Sequence, residues 1–132
     1  MASEDLATQL TALVVDDNMI NRKIHQKILK NAGVKNHGVG NGKEAVDIHG
    51  HGQSFDLIFM DLDMPIMNGI EATKKLRSMG ICSIIVGVSS RYIEEEIQEF
   101  MEAGLDDYQI KPLTNAKLSS ILHKINPNFS FK

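Results

Sequence analysis

Apolar and polar positions alternate in a regular order along the chain, and this order predicts five strands. Runs of four to six mostly apolar residues predict strands over Thr11–Val15, 36–40, 56–60, 83–88 and Asp107–Ile110. The first, third and fourth runs are almost continuously apolar, which is typical of strands covered on both faces of a sheet. The second run contains Val39 as its single β-branched residue, so we expect it to lie near an edge.

Amphipathic segments between these runs predict five helices, and glycines at 33, 80 and 104 offer three of their ends. Apolar residues recur three or four positions apart in most of these segments. The members are Ile20, Ile24 and Ile28, with Leu29 and Ala32 beside them; Ala45, Val46 and Ile48; Ile70, Thr73, Leu76 and Met79; Ile93, Ile97, Phe100 and Met101; and Leu118, Ile121, Leu122 and Ile125. The alternation predicts an α/β fold with a doubly wound, open parallel sheet, because five units are too few for an eightfold barrel.

Length and composition fit one globular domain with a sizeable core, since the chain has 132 residues, of which 42% are apolar. We predict tails over residues 1–10 and 127–132 around a domain over 11–126. The net charge of −3 disfavours nucleic acid as a partner. Cys82, the single cysteine, suits a reducing compartment, the cytoplasm or nucleus. No apolar stretch approaches the ~20 residues of a membrane span, so we expect no membrane partner.

Polar side chains directly follow four of the predicted strands. Asp16 and Asp17 come after the first strand, Asp61 after the third, Ser89 after the fourth and Lys111 after the fifth. Taken one at a time, they are equally well a helix cap, a loop acid, a turn serine and a solvated lysine. Because the carboxyl ends of parallel strands meet at one edge of a sheet, the ordered set predicts a shared functional site there.

Three carboxylates at this edge would repel one another unless a cation lies among them. Mg²⁺ prefers oxygen ligands, and Mn²⁺ substitutes for it. We expect Asp17 and Asp61 to supply carboxylates, Asp16 to hold a coordinated water, and the backbone carbonyl of Asp63 to complete the protein ligands. A carboxylate oxygen of Asp61 is then a nucleophile that can form an acyl phosphate. The Lys111 ammonium group and the Ser89 hydroxyl stabilise charge on the phosphoryl oxygens.

The chain is similar over residues 11 to about 125 to the receiver domain of two-component phosphorelays, the response-regulator family. The matching stretches are residues 14–18, 60–69, 88–90 and 107–113. The resemblance implies a flavodoxin-like fold with strand order 2-1-3-4-5. It implies that Asp61 is the phosphoacceptor, and that Asp16 and Asp17 are the metal-binding pair.

Further roles follow from the resemblance alone. It implies that Ser89 and Tyr108 move on phosphorylation, that Lys111 pairs with the phosphoryl group, and that the Lys111–Pro112 peptide bond is cis. Asp63 and Arg91 occupy the positions that govern water access to the acyl phosphate in this family. These two charges are interpreted as a pair that gates hydrolysis of the acyl phosphate; the alternative is a surface salt bridge that contributes little to stability.

The implied function is that of a phosphoacceptor, which takes its phosphoryl group from a histidine-containing phosphotransfer protein or a hybrid histidine kinase. Residues 85–90, 100–105 and 111–117 resemble plant C-type response regulators, lone receivers without a DNA-binding output, and this implies a place in cytokinin signalling. We expect a monomer that is not an enzyme beyond its own phosphorylation and slow dephosphorylation. The chain could instead be a receiver excised from a hybrid kinase.

Other functions stay open. The chain could be a phosphate sink, or formally a phosphohistidine phosphatase that dephosphorylates its partner. Asp61-Leu62-Asp63 resembles the Asp-x-Asp motif of haloacid-dehalogenase-type phosphatases, but the preceding acid pair and the missing cap domain argue against that class. A phosphorylation-independent interaction module is disfavoured by the intact acid set.

Two polar clusters outside the strand ends are interpreted as solvated. We expect residues 49–52, His-Gly-His-Gly, to form a solvated loop, and His25 and His123 to be partly exposed on helices. Glu94, Glu95 and Glu96 are expected to form a solvated first turn of a helix.

Overall fold

Strands and helices alternate strictly along residues 10–125, the part of the chain that the computed structural model describes. The elements are β1 (Thr11–Val15), α1 (Met19–Asn31), β2 (Lys35–Val39), α2 (Gly42–Gly50), β3 (Leu57–Met60), α3 (Gly69–Ser78), β4 (Ile84–Ser89), α4 (Glu94–Glu102), β5 (Asp107–Ile110) and α5 (Asn115–Ile125). The strands form one parallel sheet in the order β2-β1-β3-β4-β5. This confirms the predicted fold. Except for Leu10, the predicted tails lie outside the described residues.

The sheet separates two apolar layers, because successive side chains of a strand point to opposite faces. In β1, Ala12 and Val14 pack with residues of α1 and α5, including Leu29 and Leu118. Leu13 and Val15 face the other layer, which contains buried residues of α2, α3 and α4. The helices therefore cover both faces of the sheet. Within residues 10–125, no helix is long and apolar enough to cross a membrane.

The apolar pattern of α1 differs from its burial. Leu29 and His25 are the buried residues of this helix, whereas Ile20 and Ile24 are 71% and 49% exposed. The predicted helix is present, but most of its isoleucine stripe lies on the surface. The prediction of a partly exposed His25 was wrong, since its side chain is only 4% exposed.

The first three helices begin with asparagine caps close to the carboxyl edge of the sheet. The side chains of Asn18, Asn41 and Asn68 each accept a hydrogen bond from the backbone N–H three residues later, at 2.9 Å. At α3 the Glu71 side chain also accepts from the Asn68 N–H, which completes a capping box. These caps fix where the chain turns from each strand into the next helix.

Gly69, the first residue of α3, lies against the backbone of Asp61. A Cβ atom there would be 2.2 Å from the Asp61 carbonyl oxygen and 2.9 Å from the Phe100 ring. We therefore expect Gly69→Ala to lower the free energy of unfolding by about 2–3 kcal/mol. Gly50→Ala is the control, because a Cβ atom at that helical position meets nothing within 4 Å. Urea denaturation of both variants checks this, and equal stabilities would contradict the close packing.

Candidate functional site

The three predicted aspartates lie together at the carboxyl edge of the sheet. Asp16 and Asp17 follow β1, Asp61 follows β3, and these two strands are paired so that Val15 lies opposite Met60. One carboxylate oxygen from each aspartate lies within 4.8 Å of the others. Asp16 and Asp61 are buried, whereas Asp17 is exposed. The cluster is therefore open to solvent on the side of Asp17.

Lys111, just after β5, reaches across to this cluster. Its Nζ atom lies 3.0 Å from Oδ2 of Asp16 and 3.1 Å from Oδ1 of Asp61. Burial lowers the pKa of Lys111, but its contacts with the two carboxylates outweigh burial and raise the pKa above its usual value. The ammonium group is thus held charged beside Asp61. The Lys111–Pro112 peptide bond is cis.

The charges of the site leave room for a divalent cation. Three aspartates and one lysine give a formal charge of −3 + 1 = −2. Burial, and then the neighbouring Asp16 charge, raise the pKa of Asp61 to about 6 although Lys111 opposes them. An uncompensated negative charge with clustered carboxylate oxygens suits a hard dication such as Mg²⁺. The residues present therefore fit the metal that the sequence predicts.

Two contacts that sequence reasoning missed hold Asp16 in place. The Asn18 N–H donates to Oδ1 of Asp16 at 2.9 Å, and Nη1 of Arg22 donates to its backbone carbonyl at 2.6 Å. A Cβ atom at Gly38 would lie 3.0 Å from Cδ of Arg22. The glycine that weakens the β2 pattern therefore leaves space for this arginine. Arg22 is one of several basic residues of α1, and nothing in the sequence sets it apart.

Ser89 and Tyr108 meet at the backbone of Arg91. The Ser89 hydroxyl accepts a hydrogen bond from the Arg91 N–H at 3.2 Å, and the Tyr108 hydroxyl donates to the Arg91 carbonyl. Ser89 is buried, and Tyr108 lies edge-on to Phe100 with ring centroids 6.2 Å apart. Burial raises the pKa of Tyr108, against the nearby Ser89 hydroxyl, which lowers it. The two hydroxyls thus share one loop residue.

Asp63 and Arg91 form a two-point ion pair beside the cluster. Nε and Nη2 of Arg91 contact the two carboxylate oxygens of Asp63 at 3.1 and 2.8 Å. Nη1 contacts Oε2 of Glu96 at 2.8 Å. The expectation that Glu96 is merely solvated was wrong, because its contact crosses from α4 to the preceding loop and no local pattern reveals it. The Asp63 carboxylate is bound to Arg91. The backbone carbonyl of Asp63 stays a predicted metal ligand.

The histidine tract is not a solvated loop throughout. His49 lies in the last turn of α2, only 6% exposed, with Nδ1 hydrogen-bonded to the Ala45 carbonyl at 2.7 Å and its ring edge-on to Phe55. His51 follows the helix and is exposed, as expected. The prediction failed at His49 because the glycine at position 50 does not end the helix before that residue.

The raised pKa of Asp61 predicts how pH changes the stability of the metal-free protein. A carboxyl whose folded pKa is raised stabilises the fold below its unfolded pKa of about 4, and that contribution is lost as the pH rises through about 6. In EDTA at pH 7.5 we therefore expect Asp61→Asn to be more stable than the wild type by about 2–3 kcal/mol. Near pH 4 the difference should disappear.

Urea denaturation at both pH values measures this difference. Excess Mg²⁺ at pH 7.5 serves as the control, because a bound dication offsets the charge of Asp61 and narrows the gap between the proteins. A gap that is the same at both pH values would contradict the assignment of a destabilising charge to Asp61.

A model of the response regulator receiver domain family matches residues 12–123. This chain therefore belongs to the response regulator receiver domain family. The resemblance inferred from the strand-end residues is confirmed, together with the sheet order that it implied.

Two plant response regulators are similar to nearly the whole chain. Two-component response regulator 24 of Arabidopsis thaliana is 63% identical over 119 residues, which cover 90% of this chain and 86% of that protein. Two-component response regulator ARR22 of Arabidopsis thaliana is 47% identical over 115 residues, covering 86% of this chain and 81% of that protein. Because the matches cover most of each relative, both consist largely of this one domain.

Two solved structures share the fold. The receiver domain of sensor histidine kinase PA1611 from Pseudomonas aeruginosa PAO1, with a magnesium ion coordinated in its active site cleft, has a TM-score of 0.77 and 27% identity over 87% of this chain and 95% of that chain. The receiver domain of the response regulator Ssk1 from Saccharomyces cerevisiae, co-crystallised with the histidine phosphotransfer protein Ypd1, has a TM-score of 0.79 and 30% identity over 87% of both chains.

Proposed function

We propose that this chain is the phosphoacceptor of a histidine-to-aspartate phosphorelay, with Asp61 receiving the phosphoryl group. The observation that carries the proposal is the position of Asp61, a buried carboxylate between a lysine ammonium group at 3.1 Å and two further acids. A carboxylate kept close to a fixed cation is a suitable nucleophile for phosphoryl transfer. Membership of the receiver family supports the same role.

The reaction needs one bond formed and one broken. An Asp61 oxygen attacks phosphorus, the phosphorus–nitrogen bond to the partner's histidine breaks, and the electron pair returns to the imidazole ring. Lys111 neutralises charge on the transferring group from its position between Asp16 and Asp61. Asp17, Asp61 and the Asp63 carbonyl would hold Mg²⁺, with Asp16 on a coordinated water, and the dication would supply further charge neutralisation. The charge of a dication would offset the formal charge of −2 that the three aspartates and Lys111 give the site.

Ser89 and Tyr108 provide the response to phosphorylation in this proposal. Ser89 accepts from the Arg91 N–H, which leaves its own proton for a phosphoryl oxygen. Movement of Ser89 toward Asp61 would break that contact and release the loop residue to which Tyr108 is bound. The signal is then a population shift between two arrangements of the surface around α4, β5 and α5.

The surface around the site favours a protein as phosphodonor. Ile20 on α1 and Ile66 in the loop after β3 are 71% and 76% exposed, and Ile66 has a φ angle of 71°, which β-branched residues rarely adopt. α1 also carries Arg22, Lys23 and Lys27 and has no acidic residue. An apolar, basic surface suits an acidic protein partner, a phosphotransfer protein or hybrid kinase.

Ile20→Ser should therefore separate protein donors from small ones. We expect transfer from a phosphotransfer protein to slow at least about tenfold, because burying one large apolar side chain contributes about 1.5–3 kcal/mol. Labelling by acetyl phosphate should stay unchanged, since that donor does not contact α1. Ile110→Ser, on β5 and 44% exposed, is the matched control. If Ile20→Ser slowed labelling by both donors equally, Ile20 would act through the folded structure of the protein and not through contact with the partner.

The test of the proposed function is transfer of label. The protein is incubated with Mg²⁺ and a histidine phosphotransfer protein that carries radioactive phosphate, and label is followed on both chains. Label that accumulates on this chain supports a switch. Rapid release as inorganic phosphate supports the phosphate sink, formally a phosphohistidine phosphatase. No transfer contradicts the phosphoacceptor assignment. The plant relatives support a place in a plant two-component phosphorelay. A place in cytokinin signalling is proposed from the family resemblance alone.

A further inference from the structure

Glu96 faces the site rather than solvent, unlike its neighbours in the first turn of α4. Its Oε2 atom lies 2.8 Å from Nη1 of Arg91, and its side chain is 35% exposed. Its Oε1 atom is buried and has no hydrogen-bond partner among the described residues. Glu94 and Glu95 are exposed. The carboxylate of Glu96 is therefore committed to Arg91.

Arg91 is held from two sides at once. Its Nε and Nη2 atoms bind Asp63 in the loop after β3, and its Nη1 atom binds Glu96 in α4. All three guanidinium nitrogens thus contact carboxylates. An exposed ion pair with a single anchor opens readily, since ordering two long side chains offsets most of its attraction. The second anchor restricts the rotamers of Arg91 before it meets Asp63.

We propose that Glu96 is a positioning residue that keeps Arg91 on Asp63 and so lengthens the life of the phosphoryl group on Asp61. This inference rests on the proposed function of Asp61. The Asp63 carboxylate belongs to the residue two positions after Asp61, and it is 57% exposed where it meets Arg91. The ion pair therefore stands at the solvent side of the acceptor loop.

The chemistry of hydrolysis gives the direction of the effect. A water oxygen attacks phosphorus, the bond from phosphorus to the Asp61 oxygen breaks, and the electron pair stays on the carboxylate. The water proton passes to a nearby base, and inorganic phosphate leaves. A free Asp63 carboxylate can orient that water and accept its proton. A carboxylate with both oxygens bound to Arg91 orients the water and accepts its proton less well. The phosphoryl group on Asp61 therefore lasts longer when Glu96 holds the arginine in place.

The half-life of the labelled protein tests the inference. We expect Glu96→Gln to shorten it about two- to five-fold, a modest change because the contact is exposed to solvent. Glu95→Gln removes the same charge from the same turn and should leave the half-life unchanged. In an Asp63→Asn background, Glu96→Gln should have no further effect, because the carboxylate through which it acts is gone.

A second readout does not depend on phosphorylation. In the unphosphorylated protein, the NMR signal of the Arg91 Nε–H should be sharp in the wild type and in Glu95→Gln, and broadened by exchange in Glu96→Gln. A half-life and a signal that are the same in Glu96→Gln as in Glu95→Gln would overturn the inference alone. A wild-type protein that never acquires label would instead overturn the proposed function and, with it, this role of Glu96.

Discussion

Asp61→Asn should accept no measurable label from a phosphorylated phosphotransfer protein. The amide cannot act as the nucleophile, and losses of at least about 10³-fold are the usual scale when an attacking group is removed. The variant should remain folded, since the buried charge it removes destabilises the metal-free protein. Rates of label transfer, with unfolding curves beside them, measure both properties.

Asp47→Asn is the matched control for that experiment. Asp47 is a surface acid of α2, paired with Lys43 four residues before it and 49% exposed. Its substitution changes the net charge by the same amount and should leave label transfer unchanged. Label that persists on Asp61→Asn, or is lost equally from both variants, would contradict the assignment of Asp61.

Lys111→Gln should reduce the rate of labelling by about 10²–10³-fold, the usual cost of losing one preorganised charged contact in a reacting site. The lysine is the cation closest to Asp61 among the described residues, and the structure holds it between Asp16 and Asp61. Glutamine keeps a hydrogen-bond donor but supplies no charge. The rate with acetyl phosphate at several Mg²⁺ concentrations measures the loss.

Lys124→Gln supplies the comparison for Lys111. Lys124 lies on α5, is 64% exposed and contacts Asp107 at 3.4 Å, away from the acid cluster. Its loss should not change the rate. If saturating Mg²⁺ restored Lys111→Gln to the wild-type rate, the lysine would serve only to bring in the metal, contrary to the role given to it here.

The sequence predicts the strand-end residues well because each one follows its own apolar run. In a parallel sheet the position of a residue along its strand is enough to place it at the shared edge. Asp16, Asp17, Asp61 and Lys111 therefore come together as expected, although they follow three different strands. The order of the strands could be predicted only from the family resemblance.

Side-chain contacts from a helix back to the loop before it could not be predicted from the apolar pattern. Arg22 and Glu96 are ordinary charged residues of helices until the fold brings them to Asp16 and Arg91. The apolar spacing of α1 also predicts the wrong buried face, because Ile20 is exposed and His25 is buried. A surface that contacts a partner follows the same periodicity as a buried one, so hydrophobicity alone does not separate them.

Chemical mapping shows whether the phosphoryl group is attached to the carboxylate of Asp61. Borohydride reduces an acyl phosphate of aspartate to homoserine, and mass spectrometry of the digested protein locates the change. We expect homoserine at position 61 in protein treated with a phosphorylated donor and Mg²⁺, and none without the donor. Reduction at another aspartate, or phosphate on a serine or histidine with position 61 unchanged, would contradict that attachment.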